Sequence, residues 1–203
     1  MRILGKMILI CAMTAGVFWC GSVLAQRQQL SNGVIRLHVV ANSDSEEDQS
    51  VKLKLRDAVT AFLQEELKEA TSKEQAEKYL SENLGRIEAL ANRVLAKLET
   101  GDSATVSLKQ EAFDTRIYDT FTMPAGVYDS LRIVIGEGQG KNWWCVVFPE
   151  LCIPATAQGF SERAVECGYA DSLTGAMTGE EGYEVRFFLL DCLGKLENFF
   201  FAG

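Results

Sequence analysis

A single histidine, His38, serves all 203 residues, so any serine or cysteine charge relay would have to use it as base. It sits mid-strand beside Arg36, a position that reads as the solvent side of a strand. No Gly-x-Ser-x-Gly elbow is present, no Asp-Thr-Gly or Asp-Ser-Gly of an aspartic protease, and no Cys-x-x-Cys of a redox enzyme. Basic residues are scarce as well, 20 against 28 acidic, for a formal net charge of −8. Such a surface repels nucleic-acid phosphates and anionic lipid headgroups, which argues against a nucleic-acid partner. Internal repeats and low-complexity tracts are absent. With 47% hydrophobic and 24% charged residues, the balance is that of a globular chain rather than a disordered one.

The amino terminus reads as an export signal over residues 1–25. "MRILGK" supplies two positive charges, "MILICAMTAGVFW" an apolar core, and "GSVLA" ends in small residues, with Val23 and Ala25 where a signal peptidase reads. Cleavage after Ala25 is the expectation. An uncleaved anchor is the alternative, since Met7 to Ala25 is mostly apolar and just long enough to span a bilayer. A lipid-modified cysteine is disfavoured because Trp19 precedes Cys20, where a small residue is required. Either way the body is expected outside the cytoplasm, where disulfides persist. Cys145, Cys152, Cys167 and Cys192 then allow three pairings, and the sequence does not choose among them. Cys145 and Cys152 can meet across a turn at Pro149. The alternative is four small buried thiols.

"VIRLHVVA" (Val34–Ala41) alternates as a strand. "NSDSEEDQ" follows, with overlapping capping boxes at Ser43/Glu46 and Ser45/Asp48, and announces a helix to about Leu67. A second long helix starts at Ser72 with Gln75 and runs to Leu98, with Gly101 placed for a C-terminal cap. From Ala104 the period falls to two, through "ATVSLK", "TRIYDTF", "VYDSLRIVI" and "NWWCVVF". The expected fold class is therefore α+β. It has two long helices, then a mostly antiparallel sheet of about four to five strands, then a C-terminal amphipathic helix. Residues 26–154 form the α+β domain, 155–180 a loop or loosely ordered arm, and 181–203 the closing helix, with Val185, Phe188, Leu189, Cys192, Leu196 and Phe199 at helical spacing.

Each candidate chemistry has to meet its own spacing. "GEGQGK" (Gly136–Lys141) lacks the four-residue gap, the Ser or Thr and the helix of a phosphate-binding loop, and a glycine-rich hairpin turn between Ile135 and Trp143 explains it. Asn42, Asp44, Glu46 and Asp48 suggest calcium, but Glu47 and Leu53 stand where an EF-hand needs Gly and Glu. The cysteines are too widely spaced for a four-thiolate zinc site. Nothing singles out a carboxylate pair for sugar hydrolysis. No cofactor, metal or small-molecule substrate is expected. What stands out is Trp143–Trp144: adjacent strand residues point to opposite faces, so one packs under the helices and the other meets solvent, another layer or a partner.

Two blocks, "IRLHVVANSDSEEDQSVKLKLRDAV" (Ile35–Val59) and "PAGVYDSLRIVIGEGQGKNWWCVVFPELC" (Pro124–Cys152), resemble the stage II sporulation protein R family, as does the closing "EVRFFLLDCLGKLENFF". The resemblance implies a secreted signalling protein of endospore formation, placed in the space between forespore and mother-cell membranes. Its partner would be a membrane-embedded aspartic protease, met at the extracytoplasmic face, which cleaves pro-sigma-E. The chain itself would then have no catalytic residue and would work close to a membrane. Candidate contact residues are Asn142, Trp143 and Trp144, with Asn42, Asp44 and Asp48 as a second group. An exported wall-associated enzyme, or a septal or wall-binding structural protein, is the competing reading.

Overall fold

The computed structural model describes residues 2–117, 122–148 and 184–201. Helix α1 (Arg2–Gly33) leads into β1 (Ile35–Val40), then α2 (Glu46–Leu67), α3 (Lys73–Glu82) and α4 (Leu84–Lys97). Strands β2 (Ala104–Phe113), β3 (Arg116–Ile117), β4 (Thr122–Met123), β5 (Gly126–Ile135) and β6 (Asn142–Phe148) follow, and helix α5 (Glu184–Phe201) closes the order. Among the described residues no helix is long and apolar enough to cross a membrane. Cys152 and the arm expected over 155–180 fall outside the described residues.

The α+β class holds, with corrections inside it. The main sheet has four strands in the order β2-β5-β1-β6, and β3 and β4 pair separately. Two of its three pairings are antiparallel, β2 with β5 and β1 with β6, but the sheet is mixed because β1 lies parallel to β5. Helices α2 to α4 fill the crossover between β1 and the later strands, as a parallel pair requires. The second long helix is in fact two. Asn83 leaves helical geometry at φ −117°, and its side-chain amide donates to the Tyr79 carbonyl at 2.8 Å.

Ile35, Leu37 and Val39 on one face of β1 pack with Val51, Leu55 and Val59 of α2, Ile87, Ala91 and Leu95 of α4, and Leu131 and Ile133 of β5. Burying a side chain of this size stabilises by about 1.5–3 kcal/mol, so this layer dominates the fold. Ser45 and Ser72 cap α2 and α3 as expected, accepting from the Asp48 and Gln75 N–H groups. Glu66 ties the helices together by accepting from the Tyr79 hydroxyl and Arg86. Burial, and then that carboxylate, push the Tyr79 hydroxyl up to about 12.

Helix α5 docks by a different stripe from the apolar one. Phe188, Leu196 and Phe199 are exposed, while Gly194 lies against the Ala125 carbonyl. Asp191 accepts from the Thr115 hydroxyl and the Ala125 N–H, and Asn198 donates to the Phe113 carbonyl. Short polar side chains and a glycine let this helix approach strand ends whose backbone groups need partners.

Candidate functional site

The carboxyl end of β1 is where the two groups of candidate residues meet. β5 and β6 flank β1 rather than each other, so Gly136–Lys141 is not a hairpin turn. It arches over the end of β1, just where Ala41 and Asn42 emerge. The Gln139 N–H donates to the Asn42 carbonyl (3.0 Å), and the Gly140 N–H to the Ala41 carbonyl (2.9 Å). Asn42 Oδ1 accepts from the Glu137 N–H at 3.0 Å, and Asp44 Oδ1 from the Lys141 N–H at 2.7 Å. Close approach explains the glycines. A side chain at Gly140 would collide with the Ser43 carbonyl and come within 2.9 Å of the Ala41 Cβ, and Gly136 has a φ of +56°.

Asp48 sits behind this seam and accepts from the Ser43 hydroxyl and from Asn42 Nδ2 (3.2 Å). The Ser43 hydroxyl is the main reason its carboxyl lies below the usual range. Lys52, buried on α2, donates to Gln49 Oε1 (2.6 Å) and to the Lys141 carbonyl (2.9 Å). Burial pushes its ammonium below the ordinary value. Asn42 and Asp44 therefore staple two segments 95 and 97 residues apart in sequence, and Asp48 braces Asn42 from behind. The exposed part of the rim is formed by Asp44, Glu46, Glu47, Glu137, Lys141 and Asn142.

The tryptophans leave this rim on opposite faces. Trp143 pairs with Val39 in register, packs against the main core and carries the Arg56 guanidinium 4.1 Å above its ring. Trp144 pairs with His38 on the other face, between the His38 ring at 5.5 Å and the Arg116 guanidinium at 3.8 Å. His38 and Arg116 cover it in part, and Trp144 stays half-buried. Cys145, on the core face, is disulfide-bonded, whereas Cys192 is a free, exposed thiol.

His38 is not on a solvent face. It is 8% exposed, because β1 is central and covered on both sides. Its Nδ1 lies 3.0 Å from Glu111 Oε2 and its Nε2 3.0 Å from Asn142 Oδ1. Arg132 donates to Glu111 Oε1 at 2.8 Å. Burial alone would raise the Glu111 carboxyl; hydrogen bonds led by His38 outweigh it and hold it at about 2. An anion held so firmly is a poor proton donor at neutral pH. Arg36 is fully buried beneath the Phe113 ring, 4.1 Å from its centroid. Sequence reasoning missed His38, Glu111, Arg36 and Lys52 as a group. Only the burial of β1 on both faces, the reach of Glu111 from β2 to His38, and the buried helix stripe that holds Lys52 identify them. Among the described residues no group of three His, Cys, Asp or Glu side chains is arranged to hold a metal ion.

These features define an α+β domain behind an apolar amino-terminal helix, with polar segments from both halves of the chain stapled into one rim. The family model for stage II sporulation protein R matches residues 31–158, and the chain belongs to that family. It is 33% identical over 180 residues to the stage II sporulation protein R of Bacillus subtilis (strain 168), covering 80% of each chain. No solved structure matches it.

Proposed function

We propose that the chain is an exported signalling protein of endospore formation. It acts from the space between the forespore and mother-cell membranes on a membrane-embedded aspartic protease of the mother cell, and pro-sigma-E is cleaved as a result. Membership of the stage II sporulation protein R family carries this reading. The export-type amino terminus supports it, as does the meeting of both family-like blocks, Ile35–Val59 and Pro124–Cys152, at the Asn42–Lys141 seam. In this reading the chain is a ligand without a catalytic step. The acidic rim and the adjoining Asn142–Trp144 strand make the contact, and binding favours the active arrangement of the protease to the extent that it prefers that arrangement.

The test is cleavage of the sigma-factor precursor in a non-sporulating bacterial host. It co-expresses this chain, with and without residues 1–25, a candidate membrane protease and the precursor. Cleavage that depends on the exported chain is the expected result. If the chain is exported and folded, and the protease answers another activator but not this one, activation is removed as its role.

A further inference from the structure

The outer edge of β2 is a stretch of strand whose backbone is only partly covered. β2 is an edge strand, and its register with β5 runs unbroken from Ala104 to Phe113. Backbone groups of successive strand residues point alternately to the two sides. Ala104 and Val106 fix which residues point outward. The Ala104 N–H donates to Asn92 Oδ1 (2.8 Å), its carbonyl accepts from Asn92 Nδ2 (3.0 Å), and the Val106 N–H donates to Glu88 Oε2 (2.9 Å). Asn92 and Glu88 both stand on α4, which thus closes the first part of the edge. Leu108, Gln110 and Ala112 follow in the same alternation. Among the described residues their outward N–H and carbonyl groups have no hydrogen-bond partner.

We infer that this three-residue window pairs antiparallel with β2 of a second copy of the chain, about a two-fold axis at Gln110. Only with Gln110 facing Gln110 do all three outward residues meet outward residues, Leu108 opposite Ala112 on either side of the axis. The intervening side chains select the same register. Lys109 of one copy then stands opposite Glu111 of the other, twice. Moving the axis by one residue sets Lys109 against Lys109, or Glu111 against Glu111, and strands one outward residue. Like charges directly opposite destabilise a strand pair. A lysine on an edge ordinarily blocks strand addition. Here the acid two residues on answers it, and Lys109, 47% exposed, already lies 3.5 Å from its own Glu111. β2 contains neither proline nor bulge, the other usual edge blocks. The contact is isologous, so it closes at a dimer. It does not rest on the protease reading.

The test uses the chain recovered after export from a secreting host. Residues directly opposed in a hydrogen-bonded antiparallel pair stand about 5.5 Å apart at Cα, inside the roughly 4.4–6.8 Å that a disulfide spans. Gln110→Cys should therefore oxidise to a covalent dimer, above the background set by the free Cys192. Lys109→Cys, a diagonal away from its copy, should not. In sedimentation equilibrium the unmodified chain should dimerise with concentration. Gln110→Pro removes an outward donor while sparing the β5 pairing, and should weaken the dimer about tenfold or more. A chain monomeric throughout, with Gln110→Cys cross-linking no better than Lys109→Cys, overturns the inference. So does a dimer indifferent to Gln110→Pro, which places the contact on another surface. A monomer whose Gln110→Pro variant alone loses protease activation overturns it too, and assigns the edge to an extended segment of that partner.

Discussion

Asn42 occupies the space that a side chain at Gly136 would need: its Cγ lies 2.7 Å from where a Cβ would stand. Gly136 is also in the left-handed region, at φ +56°. Gly136→Ala meets both obstacles and should destabilise the domain by about 1–3 kcal/mol. Equilibrium urea unfolding reads this directly. A loss below about 0.5 kcal/mol would mean that Asn42 swings aside without cost, and that the seam is less tightly built than its hydrogen bonds imply.

Glu111 gives the fold an acid limit. Its carboxyl ordinarily titrates at 4.5 and is held at about 2 in the folded chain. A depressed carboxyl contributes stability that is present above the unfolded value and is lost as pH falls through the folded one. The full difference is on the order of 3 kcal/mol, disappearing between about pH 5 and pH 2. Glu111→Gln should be less stable than the parent at pH 7, and the gap should close on acidification. A gap that stays constant with pH would assign the loss to packing instead.

The two tryptophans should separate stability from signalling. Trp143→Ala opens the core beside Val39 and should cost about 3 kcal/mol in thermal or urea unfolding. Trp144→Ala loses its stack with Arg116 and His38, which makes it the milder change for the fold, about 1–2 kcal/mol. Under the proposed function, folded Trp144→Ala should lower precursor cleavage well beyond that loss. Normal cleavage by the folded variant would remove Trp144 from the contact.

Gly194→Ala should lift α5 off the sheet, since a Cβ there would collide with the Ala125 carbonyl. Close-packed backbone has little room to yield. Hydrogen exchange should show faster exchange across Asp191–Asn198, with protection of β1 and β5 unchanged. Unchanged exchange in α5 would show that the helix can re-seat.

Local chemistry was readable from sequence, and pairing at a distance was not. Ser45 and Ser72 announced their helices because a cap acts within three residues. The opposite faces of Trp143 and Trp144 followed from the strand period alone. The rim was visible only as two separate candidates, Asn42–Asp48 and Asn142–Trp144. The glycine loop between β5 and β6 looked like a hairpin because nothing in "GEGQGK" records that β1 lies between its ends. The same omission put His38 on a solvent face. Lys52 shows the limit in a helix: a lysine beside Val51 reads as surface until the Lys141 carbonyl is found above it.

β1 also sets the order in which the domain can be completed. Ile35 pairs with Asp129 and Phe148, so the first strand of the domain meets neighbours that lie 94 and 113 residues further along the chain. Contacts this remote in sequence make for slow closure, because a long loop must be gathered before any pairing rewards it. A growing chain that stops short of Asp129 holds helices α1 to α4 and the small β3–β4 pair, while β1 and β2 still lack every neighbour in the main sheet. Until β5 and β6 have emerged, the polypeptide has no main sheet to lock.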